Sequence, residues 1–313
     1  MSGSHHPIKV VVRRTGLSAH VLRIWEKRYR AVAPKRTGTN RRLYSEEQIE
    51  RLNLLRTLTQ AGHSIGQVAG LPADKLRKLA VNAADGSAPP PTSPSAAKSP
   101  NFLAECLAAT RALDARGLET TLQRAEMELG LQGLLQRVVA PFAQRLGDLW
   151  RAGDLTAAHE HLATGVLRIF LGNAAKLTTV SPHDPVIVVV TPLGQVHELG
   201  ALLAMAAAAN LGWQVTYLGA SLPAAEIAGA ARQNRARVVA LSLVYPEDDP
   251  RLAGELTRLR ELLPPEVTVV AGGRAMPAYR KALDKLGVLQ AKDLGQFCGL
   301  LDDLRQPKPP TAR

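Results

Sequence analysis

The stretch PVIVVVTPLGQVHELG, residues 185–200, decides the fold of the carboxyl-terminal half of this chain. Val186 to Val190 form an unbroken run of aliphatic residues, too short for a buried helix and lacking the alternation of a strand with one wet face. Such a run fits a strand covered on both sides, as in a parallel sheet. A turn with proline and glycine follows, and then an apolar stretch of helical length, Gly200 to Trp213. Four further short runs continue the rhythm: VTYL (215–218), VVALSLV (238–244), VTVVAG (267–272) and Gly287-Val-Leu. Strands alternating with helices in this way predict an α/β, flavodoxin-like (Rossmann-type) doubly wound parallel sheet, which binds ligands outside the carboxyl ends of its strands. His197 stands at that end. Taken alone, an imidazole there reads as a solvated loop residue, a general base or a metal ligand.

Upstream, from Phe102 to about Leu177, apolar residues recur at helical spacing, as in Leu131-x-x-Leu134-Leu135-x-x-Val138-Val139, which predicts a four-helix bundle. Before it, the Pro/Ser/Ala-rich segment from Ala84 to Pro100 has too little apolar surface to fold and reads as a linker. The 313 residues thus divide into a basic module (1–80), a linker (81–101), a helix bundle (102–180), an α/β domain (181–306) and a short tail (307–313). Of the net charge of +12, the first eighty residues carry +11, with sixteen Lys/Arg against five Asp/Glu. A basic module on a nearly neutral body points to a polyanion as its partner. No apolar run reaches the length of a membrane span, and the start lacks the apolar centre of a signal peptide, so no membrane partner and a cytoplasmic location are expected. Cys106 and Cys298 lack metal-ligand spacing and are expected as small core residues.

In the basic module, IKVVVRRTGLSAHVLRIWEKRYR (8–30) reads as two short helices around the turn Thr15-Gly16-Leu17. Ser18 is placed to cap the second, which presents His20, Arg23 and Lys27 at helical spacing. A hairpin-like wing follows around Gly38-Thr39-Asn40, then helices at Glu46–Gly62 and Ser64–Leu71. Trp25 is spaced with Val21 and Leu22 and reads first as core. The residues RTGLSAHVLRIWEKRY and RRLYSEEQIERLNLLRTLTQAG, in this order, resemble the MerR family of winged helix-turn-helix DNA-binding domains. The resemblance implies that the helix beginning at Ser18 enters the major groove, while Arg41, Arg42 and Tyr44 of the wing contact the backbone or minor groove. Double-stranded operator DNA is the partner implied.

The carboxyl-terminal half carries a second constellation: Gln195-x-His197-x-x-Gly200, then Ser242-Leu-Val244 after forty-one residues, then Gly272-Gly273 after another twenty-seven. It resembles the cobalamin-binding domains of methionine synthases and adenosylcobalamin mutases, whose pattern is DxHxxG, SxL and GG. The resemblance implies that His197 coordinates cobalt from below and that Ser242, Gly272 and Gly273 line the slot for the cofactor's nucleotide tail. An acidic residue usually stands two places before the histidine and hydrogen-bonds its other nitrogen. Here Gln195 brings no charge, and Val244 replaces leucine.

Trp150, nine residues and then Glu160-His161 lie in the bundle. On their own they read as a core tryptophan and a surface pair. Before a cobalamin domain they resemble the W-x9-EH motif of CarH-type photoreceptor repressors, with which the order of domains also agrees. That resemblance implies a regulator rather than an enzyme: adenosylcobalamin assembles dimers into a DNA-bound tetramer in the dark, the bundle covers the upper face of the cofactor, and light breaks the cobalt–carbon bond. Members of that group carry a histidine directly after the tryptophan, where this chain has Arg151. Three other readings stand beside this one: a CarA-like regulator working without cofactor, a sensor of another tetrapyrrole, and a corrinoid methyl-transfer protein. No substrate domain accompanies the last.

Overall fold

A computed structural model of the chain describes residues 5–17, 19–38, 41–60, 63, 65–84, 101–176 and 183–305. They form two compact units. In the first, strand β1 (His5–Pro7) leads into helix α1 (Ile8–Thr15), and a turn leads to helix α2 (Ala19–Tyr29). Gly16 makes the turn at φ 65°, its N–H closing α1 on the Val12 carbonyl. A side chain at Gly16 is excluded twice, by this left-handed backbone and by the Arg56 guanidinium 3.0 Å from where its Cβ would lie. Strands β2 (Lys35–Arg36) and β3 (Arg42–Ser45) pair with β1 in an antiparallel sheet of order β1-β3-β2. Ser18, Thr39 and Asn40, expected as helix cap and wing turn, lie outside the described residues.

Helix α3 (Glu46–Gln60) starts from a reciprocal cap: Ser45 Oγ accepts from the Gln48 N–H at 3.3 Å, and Gln48 Oε1 from the Ser45 N–H at 3.1 Å. Helix α4 (Ile65–Val68) is shorter than the sequence pattern suggests, and α5 (Ala73–Ala84) was not legible as a helix of its own. Its apolar stripe is narrow: Leu76 is buried, whereas Val81 is exposed. Residues 81–84 of the expected linker extend α5, and 85–100 lie outside the described residues, as does the tail from 306.

The bundle comprises α6 (Phe102–Arg111), α7 (Ala115–Leu134), a π-helical turn (Leu135–Val139), α8 (Ala140–Arg151) and α9 (Ala157–Lys176). Asn101 and Asp114 cap α6 and α7 through the N–H groups of Ala104 and Gly117. Gly130, at φ 68° and ψ 167°, breaks α7. Such a break leaves carbonyls of the preceding turn without intrahelical donors. Trp25 of α2 supplies one, its indole N–H donating to the Met127 carbonyl at 3.1 Å. Fully buried, Trp25 is a core residue, as its spacing indicates. Trp25→Phe keeps most of the packing and removes this bond, so the denaturant midpoint is expected to fall by the equivalent of about 1 kcal/mol. No change would mean that the Met127 carbonyl does not depend on the indole.

The division between the units runs through α9, with Leu167–Lys176 grouped in the second. There, β4 (Val186–Pro192), α10 (Leu199–Asn210), β5 (Gln214–Leu222), α11 (Ala224–Gln233) and β6 (Val238–Ser242) are followed by α12 (Leu252–Leu262) and β7 (Thr268–Gly272). A 3-10 turn (Met276–Tyr279), α13 (Arg280–Lys285), β8 (Leu289–Ala291) and α14 (Leu294–Arg305) complete the unit. The sheet is parallel throughout, in the order β5-β4-β6-β7-β8. This is the doubly wound arrangement anticipated, with its switch point between β4 and β6. Val188 and Val190 of the central strand are fully buried against a cluster that includes Ile227, Leu241 and Leu256. The alanines of α10 are buried nearly throughout, their small side chains letting that helix lie close to the sheet. The last strand begins two residues later than expected, because Gly287, at φ 64°, belongs to the turn after α13.

Cys106 and Cys298 are free and buried, and burial pushes the Cys106 thiol up to about 12. Among the described residues, no helix is long and apolar enough to cross a membrane.

Candidate functional site

At the carboxyl end of β4 the chain turns at Gly194, φ 86°, whose N–H donates to Ser221 Oγ at 3.1 Å. Thr191 holds the same turn, accepting from the Ser221 N–H at 2.8 Å and donating from its hydroxyl to the Gln195 carbonyl. The turn delivers His197 to the surface, directly before α10. Around it lie exposed apolar side chains, Val196 at 62% exposure and Tyr245 at 61%, with Leu193 on the same turn at 42%. The Tyr245 ring meets the imidazole edge-on, with centroids 5.7 Å apart and planes at 79°.

Beside this turn, across the switch point, β6 ends at Ser242. Its hydroxyl oxygen is buried without a hydrogen-bond partner among the described residues. A Cβ on Gly200 would lie 2.4 Å from that oxygen, so α10 approaches β6 there only because residue 200 is glycine. Val244 borders the same spot, its Cγ2 3.7 Å from that Cβ position. Gly272 closes β7 against the Ala291 carbonyl, and Gly273, at φ 107°, passes so close to Leu243 that a Cβ would lie 2.2 Å from the Leu243 carbonyl oxygen. The expected residues Gly200, Ser242, Val244, Gly272 and Gly273 thus meet at the ends of β6 and β7 and the start of α10.

Gln195 behaves differently from an imidazole partner. It is 1% exposed; its Oε1 accepts from the N–H groups of Val244 (2.7 Å) and Tyr245 (2.9 Å), and its Nε2 donates to the Pro246 carbonyl (3.0 Å). Glu198, next to His197, is held by the Tyr217 hydroxyl at 2.7 Å and by an ion pair with Arg168. Burial, with Glu198 beside it, drives the Tyr217 phenol strongly upward, so it acts as a donor at neutral pH. Tyr245, Glu198, Tyr217 and Arg168 were not singled out from sequence. An aromatic residue two places beyond Ser242-x was the one available signal.

These observations test the fit to a corrinoid. Among the described residues there is no group of three or more His, Cys, Asp or Glu able to hold a bare metal ion. A metal already caged in a macrocycle asks the protein for a single axial nitrogen, which His197 offers, and an elongated polar tail asks for a slot with an unpaired hydroxyl and no side chains in the way. Ser242 offers that hydroxyl, while Gly200 and Gly273 admit the close approach of Ser242 and of the Leu243 backbone.

In the bundle, Trp150 is 47% exposed at the end of α8. Glu160 and His161 start α9 as a hydrogen-bonded pair, Oε2 to Nδ1 at 2.7 Å, and Thr164 donates to the second carboxylate oxygen at 2.7 Å. Arg151 turns back on its own helix, to the Gly147 carbonyl and to Asp148 at 2.5 Å. Both ring nitrogens of His159 are engaged, with Thr156 and the Arg111 carbonyl.

On the basic module, Arg23 and Lys27 are exposed one turn apart on α2, and Arg41 is exposed on the wing. The placement of the His20 side chain falls outside the described residues. Arg42 is drawn inward by Glu26, at 2.6 Å. Tyr44 departs from the expected role: its ring is fully buried in the core of the module, and burial pushes its phenol up to about 12. Its strand, β3, is the middle strand of the sheet, and the ring turns into the core of the module.

Fold and site together define a helix-turn-helix module followed by a helix bundle and a doubly wound α/β domain. Residues 7–74 match the MerR HTH family of regulatory proteins, and residues 103–173 and 185–291 match two B12 binding domain families. The chain is similar to the HTH-type transcriptional repressor CarH of Myxococcus xanthus, 28% identical over 288 residues covering 92% of this chain and 95% of that protein. It is equally similar to the repressor CarA of the same organism, at 28% over 301 residues, 95% of this chain and 96% of that one. Among solved structures, the monomethylamine corrinoid protein of Methanosarcina barkeri is 16% identical, with a TM-score of 0.49, covering 64% of this chain and 98% of that one.

Proposed function

We propose that this chain is an adenosylcobalamin-dependent, light-responsive transcriptional repressor. The observation that carries the reading is one exposed imidazole, His197, at the sheet end where the unpartnered Ser242 hydroxyl and the closely packed Gly200, Gly272 and Gly273 come together. It stands in a chain whose first module exposes Arg23 and Lys27 on a helix-turn-helix. His197 would hold cobalt through a ring nitrogen and Ser242 would hydrogen-bond the nucleotide tail, with Gly200, Val244, Gly272 and Gly273 beside it. Trp150 and the Glu160–His161 pair are assigned to the upper face. The chemistry such a group supplies when bound is a photolabile cobalt–carbon bond. The Arg151 guanidinium, tied to Asp148, is a donor only and offers no lone pair to a metal. Operator DNA is bound by a cofactor-assembled oligomer, and its several reading heads multiply affinity. Enzymatic methyl transfer finds no support in a chain whose relatives are named transcriptional repressors.

The test is size-exclusion chromatography with spectral detection of purified protein and adenosylcobalamin in darkness, then after green light. A cobalamin-bearing assembly that is larger than the free protein, falls apart on illumination and is lost in His197→Ala is the expected result. Binding without a response to light would leave a cofactor sensor. No binding would favour a CarA-like regulator, a reading that the engaged Gln195 and Arg151 side chains support.

A further inference from the structure

A glutamine two places before a cobalt-binding histidine invites the reading that its amide oxygen replaces a carboxylate as the imidazole's partner. The hydrogen bonds exclude it. An amide oxygen has two lone pairs, and both are used, by Val244 N–H and Tyr245 N–H. The amide nitrogen is committed to the Pro246 carbonyl. Aspartate or glutamate could accept the two N–H groups but has no proton for Pro246, and would set a buried negative charge against that carbonyl. The residue is therefore matched to the 244–246 loop rather than to His197.

Glu198, the acid nearest in sequence, is already occupied by Tyr217 and Arg168. What does touch the imidazole is the Tyr245 ring, within the range of favourable edge-to-face pairs. That ring is 61% exposed, and its backbone N–H is anchored by Gln195. A continuous chain of contacts runs from the Gln195 amide through the 244–246 backbone and the Tyr245 ring to His197.

We infer that Gln195 is a loop latch and Tyr245 the residue that positions His197, so that this chain orients its cobalt ligand by an aromatic edge where a carboxylate would be expected. The inference rests on the cobalamin reading. It leaves the lower ligand without carboxylate backing on an apolar rim, with weaker donation to cobalt than a carboxylate-backed histidine.

The experiment compares wild-type protein, Tyr245→Ala, Tyr245→Phe and Gln195→Glu, each without cofactor and with adenosylcobalamin. Tyr245→Ala is expected to melt like wild type, to bind about tenfold more weakly and to show a larger histidine-off fraction in its visible spectrum. Tyr245→Phe, which keeps the ring, restores both. Gln195→Glu keeps acceptors for both N–H groups but sets a buried charge against the Pro246 carbonyl, so the 244–246 loop is expected to open and hydrogen exchange at the Val244 and Tyr245 amides to speed about tenfold or more, with no gain in histidine ligation. A Gln195→Glu protein that binds cobalamin more tightly with those amides still protected would overturn the latch, and an unchanged spectrum in Tyr245→Ala would overturn the positioning role. If wild type takes up no cobalamin, the functional reading fails separately. Amide exchange in Gln195→Glu and the ring-current shift of the His197 protons in Tyr245→Ala then decide the two contacts in the free protein, altered values supporting the inference and wild-type values ending it.

Discussion

Gly273→Ala is expected to lower the stability of the α/β unit by roughly 3–5 kcal/mol, the sum of left-handed backbone strain and an overpacked contact. At φ 107° the residue lies where side chains are rarely tolerated. Its Cβ would meet the Leu243 carbonyl oxygen at 2.2 Å, the carbonyl carbon at 2.9 Å and the nitrogen at 3.0 Å, all backbone atoms with no rotamer to yield. Those atoms are committed: Leu243 N–H donates to the Gly272 carbonyl at 2.8 Å, and its own carbonyl accepts from Ala275 N–H at 3.0 Å. Relief therefore means parting β6 from β7 at their carboxyl ends, and cobalamin uptake should fall with stability. Gly299→Ala on α14 is the control, since its Cβ meets nothing within 4 Å and a helical alanine gains about 0.5–1 kcal/mol over glycine. Thermal melting of the two variants checks the contrast. A Gly273→Ala protein that melts with wild type would mean that the close approach of β6 and β7 is absent in solution.

Reversing two charges on α2, Arg23→Glu with Lys27→Glu, is expected to weaken operator binding by about a hundredfold or more and to reduce the salt dependence of the logarithmic affinity by about two. Both side chains are exposed and lie one helical turn apart, and neither has an ion-pair partner among the described residues. Each is therefore available to a phosphate or a guanine edge. Arg42 provides the comparison: Glu26 holds it on the module, so Arg42→Ala should act more on folding than on the salt slope. Electrophoretic mobility shifts at several salt concentrations measure both quantities. Affinity unchanged by the double reversal would move the DNA face away from α2.

The sheet was readable because burial on both faces writes itself into sequence as aliphatic runs, and Val186 to Val190 have no other comfortable environment. Its last strand slid by two residues because a glycine that ends a helix looks, in sequence, like one that starts a strand. Helix α5 was missed since a stripe of Leu76 and Leu79 is too narrow to stand out beside a proline-rich segment. Tyr44 lies inside because β1 adds a third strand to the wing and makes β3 its middle strand, and residue type does not encode which face of that strand meets the core. The spacing of His197, Gly200, Ser242 and the Gly272–Gly273 pair marked where a site would form. The work of Gln195 stayed hidden, because its partners are backbone groups some fifty residues further on.

The indole of Trp25, donating across to the broken helix α7, also settles what kind of joint connects the reading head to the body. In sequence, residues 85–100 read as a linker between head and bundle. A head welded to the bundle by a buried side chain is oriented by that seam instead, and any rearrangement of α7 near Gly130 reaches α2 directly.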